Sequence, residues 1–312
     1  MTHPRDPYGH DVVITRIIAT AVLSILLGLV LLYAPSSPAS GRASTASTSS
    51  AQLDPWGVYK LWPDRPNGRA WYADWDDQKP DRWETWVETG GDHVVYSEEG
   101  VVEVGGDTVR MYVLDPKREE QWTGALEVTV YARRVPGAPA GDPWSGIVTA
   151  VRTNHGSAGM LDDDPCDSRG LLARLRFDGQ ADFGKEVRHP DTVSRHATQI
   201  WKGGMPEGVW IGYKHLVHDT DDGGVVQELW VDFPGNGEHW KRINRVVDHG
   251  DSWGSRERPC RDGIDPALPL RGGTQRAGSE TGRPNVAVLF RADSLIATGG
   301  LEYRWASVRE VH

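Results

Sequence analysis

Two hydrophobic patterns divide this chain. From Val12 to Tyr33 (VVITRIIATAVLSILLGLVLLY) no charge follows Arg16, so Ile17 to Tyr33 is an uncharged, mainly apolar run of 17 residues. With Val12–Thr15 added, the run is long enough to cross a bilayer, since Arg16 can snorkel to the headgroups. Beyond Asp54 the pattern changes to a period of two, in short stretches bounded by Gly, Pro and Asp clusters, with little sustained 3.6-residue periodicity. That alternation predicts strands.

The first pattern reads in two ways, as a retained single-pass anchor or as a secretory signal cleaved near SPAS (Ser37–Ser40). Arg5 and Arg16 favour an inside N-terminus, so the bulk of the chain is expected outside the membrane in either case. The expected organisation is a tail (1–11), a membrane segment (12–33), a Ser/Thr/Ala/Pro linker (34–53) too poor in buriable residues to order itself, and an ectodomain (54–312). The expected location is the cell membrane with an extracellular C-terminal domain, or secretion if the segment is removed.

Strands are predicted at His93–Glu98, Val101–Gly105, Thr108–Leu114, Ala125–Arg134, Ser145–Asn154 and Gly170–Gly179. Six more are predicted at Ala181–Arg188, Val209–Asp219, Val225–Phe233, Trp240–Asp248, Asn285–Asp293 and Leu301–Val311. So many strands imply two packed sheets, and turn signals such as DGQ (178–180), DDGG (221–224) and PGNG (234–237) imply antiparallel neighbours. In LLARLRFD the apolar set Leu171, Ala173, Leu175 and Phe177 should face inward, which places Leu172, Arg174, Arg176 and Asp178 on the other face. In VVQELWVDF the same logic buries Leu229, Val231 and Phe233 and turns Glu228, Trp230 and Asp232 out.

Charge narrows the partners. Thirty-four basic against 44 acidic residues give a net charge of −10, which argues against nucleic acid. All 14 tryptophans lie after residue 55, an unusual aromatic load for one domain. Cys166 and Cys260 are the two cysteines, and an even pair in an exported chain predicts one disulfide, whereas zinc needs more ligands at closer spacing. No Gly-rich phosphate loop and no Gly-x-Ser-x-Gly elbow is present.

The segments WIGYK (210–214), ELWVD (228–232), WKRINRVVDHGDSWG (240–254), LFRAD (289–293) and WASVREV (305–311) resemble the concanavalin A-like jelly-roll superfamily, in its polysaccharide-lyase-like branch. The resemblance covers roughly residues 120–311. It implies an all-β, two-sheet antiparallel jelly-roll sandwich behind the N-terminal segment, with a polysaccharide as partner. The lyase motifs of that superfamily (Arg-x-Glu-x-Arg, Gln-Ile-His, Tyr-Phe-Lys) are not intact here: TQIWKGG has Trp201 where the pattern has His. The Glu-x-Asp-x-x-Glu strand of the retaining glucanases is absent as well.

Sugar recognition needs flat aromatic faces and planar polar groups repeated along a groove. Trp201, Trp210 and Trp230 suit the first role, and the expected groove is lined by Arg152, Asn154, Arg174, Arg176, Glu228, Trp230 and Arg291, with Asp232 nearby. A lyase acting on a uronic-acid glycan would also need a base and a group neutralising the carboxylate. Tyr213, Lys214, His218 and His189 are the candidates for proton transfer. Calcium is a possible ligand of the acidic loops LDDDPCD (161–167) and HDTDDGG (218–224), although Asp-Gly turn chemistry accounts for the second more simply. No other metal or cofactor is indicated. Three functions remain open at this stage: polysaccharide binding, polysaccharide cleavage by β-elimination, and a structural role in the cell envelope.

Overall fold

The computed structural model describes residues 52–312 except 74, 88–92, 115–121, 123, 138–144, 154–168, 189–190, 251–252, 254–258, 261, 263–264, 266, 273–286 and 296–299. Fourteen strands account for most of them: β1 Ala70–Tyr72, β2 Glu84–Val87, β3 His93–Tyr96, β4 Val102–Val113, β5 Ala125–Arg134, β6 Gly146–Thr153 and β7 Gly170–Arg176. They continue with β8 Gln180–Arg188, β9 Asp191–Gln199, β10 Trp210–Asp219, β11 Val225–Asp232, β12 Trp240–Asp248, β13 Ala287–Leu295 and β14 Leu301–Val311. Among the described residues there is no α-helix, and none is therefore long and apolar enough to cross a membrane. Val12–Tyr33 lies outside the described residues.

All pairings between named strands are antiparallel, and they build two sheets. Sheet one runs β12-β11-β10-β5-β14 and continues into β3 through the first half of β4, with β1 added on β14. Sheet two runs β9-β8-β7-β6-β13 and ends on the second half of β4 with β2. Two antiparallel sheets packed face to face are what the jelly-roll resemblance implies. The two strands expected at Val101–Gly105 and Thr108–Leu114 are one, β4, because Gly105 pairs with His93 in sheet one while Gly106 pairs with Leu295 in sheet two. Gly106 has φ 120°, a left-handed value at which a glycine bends the strand without breaking it.

One core lies between the sheets. Val128 and Val130 of β5, Ile211 and Val217 of β10 and Leu229 and Val231 of β11 meet Leu171, Ala173 and Leu175 of β7 and Phe183 of β8. The inward set read from β7 is therefore as expected, Phe177 included. Within this core sits a polar chain: Tyr213 donates to the Ala173 carbonyl at 2.9 Å and lies 2.7 Å from Thr149 Oγ1, which is 3.0 Å from His215 Nδ1, while His215 Nε2 lies 3.1 Å from Gln227 Oε1. Burial pushes the His215 imidazole down to about 3, so this ring is neutral and structural.

Two expectations on β11 need correction. Phe233 is 38% exposed, because the strand ends at Asp232 and the chain turns away through Pro234–Gly235, leaving the ring edge-on to Trp201. Asp232 does not face solvent: it is fully buried, accepting from the Tyr131 hydroxyl at 2.9 Å and the Gly237 amide at 2.6 Å. The polar outer face of a strand was expected to be wet, and here other parts of the chain cover it.

β1, β2 and β9 were not foreseen. β9 carries mostly polar residues, as an edge strand can, and the first two are only three and four residues long.

The covering of sheet one starts with residues 52–69. Tyr59 donates its amide to Gly237 at 2.9 Å, and Leu61 and Trp62 both donate theirs to Glu127 Oε2 at 3.1 Å. Glu127 is fully buried and also binds Lys214 Nζ at 2.6 Å and Arg309 at 2.9 Å. Burial alone would raise this carboxyl, but Lys214 and Arg309 outweigh it and hold Glu127 below its ordinary value. One carboxylate thereby fastens the leading segment onto β5, β10 and β14.

Candidate functional site

The structure disperses the groove expected from sequence over both outer faces. Arg174 and Arg176 do stand together on sheet two, but their charge is spent: Arg174 grips Asp182 at 2.6 and 2.7 Å and Ser194 Oγ at 2.7 Å, and Arg176 binds Asp182 at 3.2 Å and also Asp178. Arg291 lies on the same sheet, directly opposite Arg110 of β4. Arg152 sits at a bulge with φ 51°, so its side chain leaves the strand alternation and is buried on Asp219 (2.5 Å), the Leu270 carbonyl (2.9 Å) and the Gly124 carbonyl (3.0 Å). Glu228 and Trp230 belong to sheet one, where Glu228 takes Arg242 at 2.7 Å, Arg245 at 3.3 Å and the Trp230 indole N–H at 2.9 Å.

The proton-transfer candidates do not converge either. Tyr213 and Lys214 are neighbours on β10 and so point to opposite faces, and both are buried. Burial pulls the Lys214 ammonium below the ordinary lysine value against the pull of Glu127, and raises the Tyr213 phenol. His218 packs at 4.7 Å against Trp62 of the leading segment. Asn154, His189, Cys166 and the first acidic loop lie outside the described residues. Cys260 is buried, and no described cysteine is a free thiol. The second acidic loop closes as a turn: Thr220 accepts the Gly224 amide and Gly223 takes φ 92°, while Asp219 is occupied by Arg152 and the Gly272 amide. Among the described residues no three His, Cys, Asp or Glu side chains gather as a metal site.

What the structure does assemble is a pocket of about 210 Å³ where the leading segment, the β1–β2 connection, the β3–β4 turn and β14 meet. Trp56, Trp75 and Trp305 line it with Asp76, Glu99 and Gly100. Each wall has a local cause. Trp56 sits on a turn made by Asp54, whose Oδ1 accepts the amides of Trp56 and Val58 at 2.9 Å each, with Gly57 at φ 78°. Trp75 is buried and donates its indole N–H to both Glu84 oxygens, at 3.1 and 3.0 Å. Trp305 is delivered by a bulge, since the β14–β5 register slips between Arg304 and Ser307.

Backbone strain gathers here. Glu99 in the 3-10 turn Glu98–Gly100 has φ 69°, and Trp305 has φ 51°, values that side-chain-bearing residues avoid at a cost of about 1–2 kcal/mol each. Gly100 follows with φ 66°, which glycine adopts without that cost. The pocket continues into an aromatic ladder, in which Arg304 stacks 4.0 Å from the Trp305 ring and 4.1 Å from Trp210, and Arg133 lies 4.7 Å from Trp210. Tyr131 meets Trp305 edge-on at 5.1 Å. Of these residues sequence reasoning singled out only Trp210 for sugar contact. The visible signal for the rest was the density of Trp beside acidic residues in YADWDD (72–77).

Glu84 adds a pH dependence beneath the pocket. Desolvation, opposed by the Trp75 N–H, raises its carboxyl from 4.5 to about 7. Its folded value thus exceeds its unfolded one, so the folded state holds a proton that the unfolded state has released. Stability falls as pH rises from about 4.5 through 7, by about 3 kcal/mol once both states are ionised. Glu84→Gln keeps the acceptor for Trp75 and removes the charge. We expect it to raise the melting temperature at pH 8 and to match the parent at pH 4.5; a gap independent of pH would mean that packing, not ionisation, sets the effect.

No family model and no curated protein matches the chain. Among solved structures, a protein of unknown function from Shewanella oneidensis MR-1 is similar over 88% of this chain and 97% of its own, at 13% identity and a TM-score of 0.41. An endo-β-1,4-glucuronan lyase from the fungus Trichoderma reesei is similar over 77% of this chain and 95% of its own, at 13% identity and a TM-score of 0.41. The potassium-bound carbohydrate recognition domain of Emp46p is similar over 77% and 97%, at 11% identity and a TM-score of 0.44. With so little superposition, none of the three bears on what this chain does.

Proposed function

We propose that this chain is an extracytoplasmic polysaccharide-binding protein of concanavalin A-like jelly-roll fold, and that its sugar contact is the tryptophan pocket. The observation that carries this reading is one cavity of about 210 Å³ walled by two half-buried indoles, Trp56 and Trp305, and two exposed carboxylates, with the buried Trp75 behind it. Indole faces suit the apolar side of a sugar ring, and carboxylate oxygens accept from its hydroxyls. The volume is below the roughly 300 Å³ typical of drug-sized sites, so it suits a single sugar unit.

Location belongs to the same proposal and is supported by the uncharged run Ile17–Tyr33. So does a Cys166–Cys260 bridge, supported by the even cysteine count and by the absence of a free thiol among the described cysteines. Binding is preferred to β-elimination because Tyr213 and Lys214 are buried on opposite faces of β10. Affinity electrophoresis of the full-length protein through gels containing neutral, uronic and amino polysaccharides tests the reading. At least one should retard it, and Trp56→Ala should weaken that retardation by about tenfold. Unchanged migration in every gel would return the protein to a structural envelope role.

A further inference from the structure

We infer that the tryptophan pocket selects a positively charged sugar unit, a hexosamine with a free amino group, over neutral and uronic sugars. This rests on the glycan reading above and gives it a ligand class. Among the described residues both polar side chains of the wall, Asp76 and Glu99, are carboxylic acids, and no Lys, Arg or His lines the cavity. A uronate placed there would meet two like charges, whereas an ammonium would meet two opposite ones.

The indoles act in the same direction, since the face of an aromatic ring attracts a cation, tryptophan most strongly. One of these rings is already used in this way, since the Arg304 guanidinium stacks 4.0 Å from Trp305, and Trp75 is buried, so Trp56 is the ring left for the ligand's ammonium. At long range the net charge of −10 favours the approach of a polycation. The arginine pair that could have welcomed a uronate, Arg174 and Arg176, is held by Asp182 and Asp178 on the other sheet.

The test is calorimetric titration of the full-length protein with three oligosaccharides of equal length: oligoglucosamine, its N-acetylated counterpart and an oligoglucuronate, at a pH that keeps the amine protonated. Oligoglucosamine should bind about tenfold or more tightly than the N-acetylated form, and the oligoglucuronate least. The preference should collapse in Asp76→Asn/Glu99→Gln, whose mutated side chains are exposed, while the N-acetylated sugar binds that variant as before. Equal or tighter binding of the N-acetylated or uronic sugar, still sensitive to Trp56→Ala, would overturn the charge inference and leave the glycan reading standing. No heat with any of the three, together with no retardation in the gels, would remove both.

Discussion

Glu127→Gln should cost about 3–5 kcal/mol of stability and lower the melting temperature by roughly 10 °C, the scale for breaking a buried ion cluster by removing one partner. The cluster is dry: Glu127 is fully buried, and Lys214 and Arg309 are each 1% exposed. Neutralising the carboxylate leaves two buried cations sharing one amide oxygen, with Thr129 at 3.0 Å as a further acceptor for Lys214, and Asp64 and the Trp62 carbonyl for Arg309. The leading segment loses at the same time the charge that attracts the Leu61 and Trp62 amides. Adding Lys214→Met to the variant should recover part of the loss, because it removes one stranded charge and keeps apolar volume. A single-variant loss below about 1 kcal/mol, the scale of an exposed pair, would mean that water reaches the cluster.

Arg174→Ala should cost about 3 kcal/mol and leave glycan retardation unchanged. Its partner Asp182 has a side chain only 2% exposed and receives two of its hydrogen bonds from Arg174 against one, longer, from Arg176. Arg176→Ala should be milder, because Asp178 is partly in solvent and Asp182 keeps its stronger partner. Urea unfolding of both variants measures the first effect, and affinity gels the second. If Arg174→Ala keeps its stability and loses retardation, the arginine face is a ligand site, and the pocket is not where the sugar binds.

These two sites show what was legible in the chain. Alternation around Leu175 correctly puts Arg174 and Arg176 on one outer face, because side-chain direction in a strand follows parity. What parity does not give is the neighbour: Asp182 lies opposite Arg174 through the β7–β8 register, and that pairing turns a candidate ligand site into a structural ion cluster. Lys214 misleads for a related reason, since a polar face is expected in water unless another segment covers it, and here residues 61–64 cover it together with its partner Glu127.

The pocket was beyond reach for a different cause. Trp305 enters it through a bulge and Glu99 through a left-handed backbone, and neither leaves a period in the sequence. Arg152 escaped the pattern in the same way, its φ of 51° turning a strand residue toward Asp219 at the end of the sandwich. Regular elements announce themselves by repetition, whereas single departures from regularity depend on contacts made far along the chain.

The shared strand β4 has a kinetic consequence. Because its first half pairs with β3 and β14 and its second half with β13 and β2, neither sheet can peel from the other without breaking backbone bonds of the same strand. Subglobal openings that separate the two layers should therefore be suppressed. The amides of Val104 and Met111, on either side of the Gly105–Gly106 bend, should exchange with deuterium together and only at the slowest, global rate, as members of one cooperative unit.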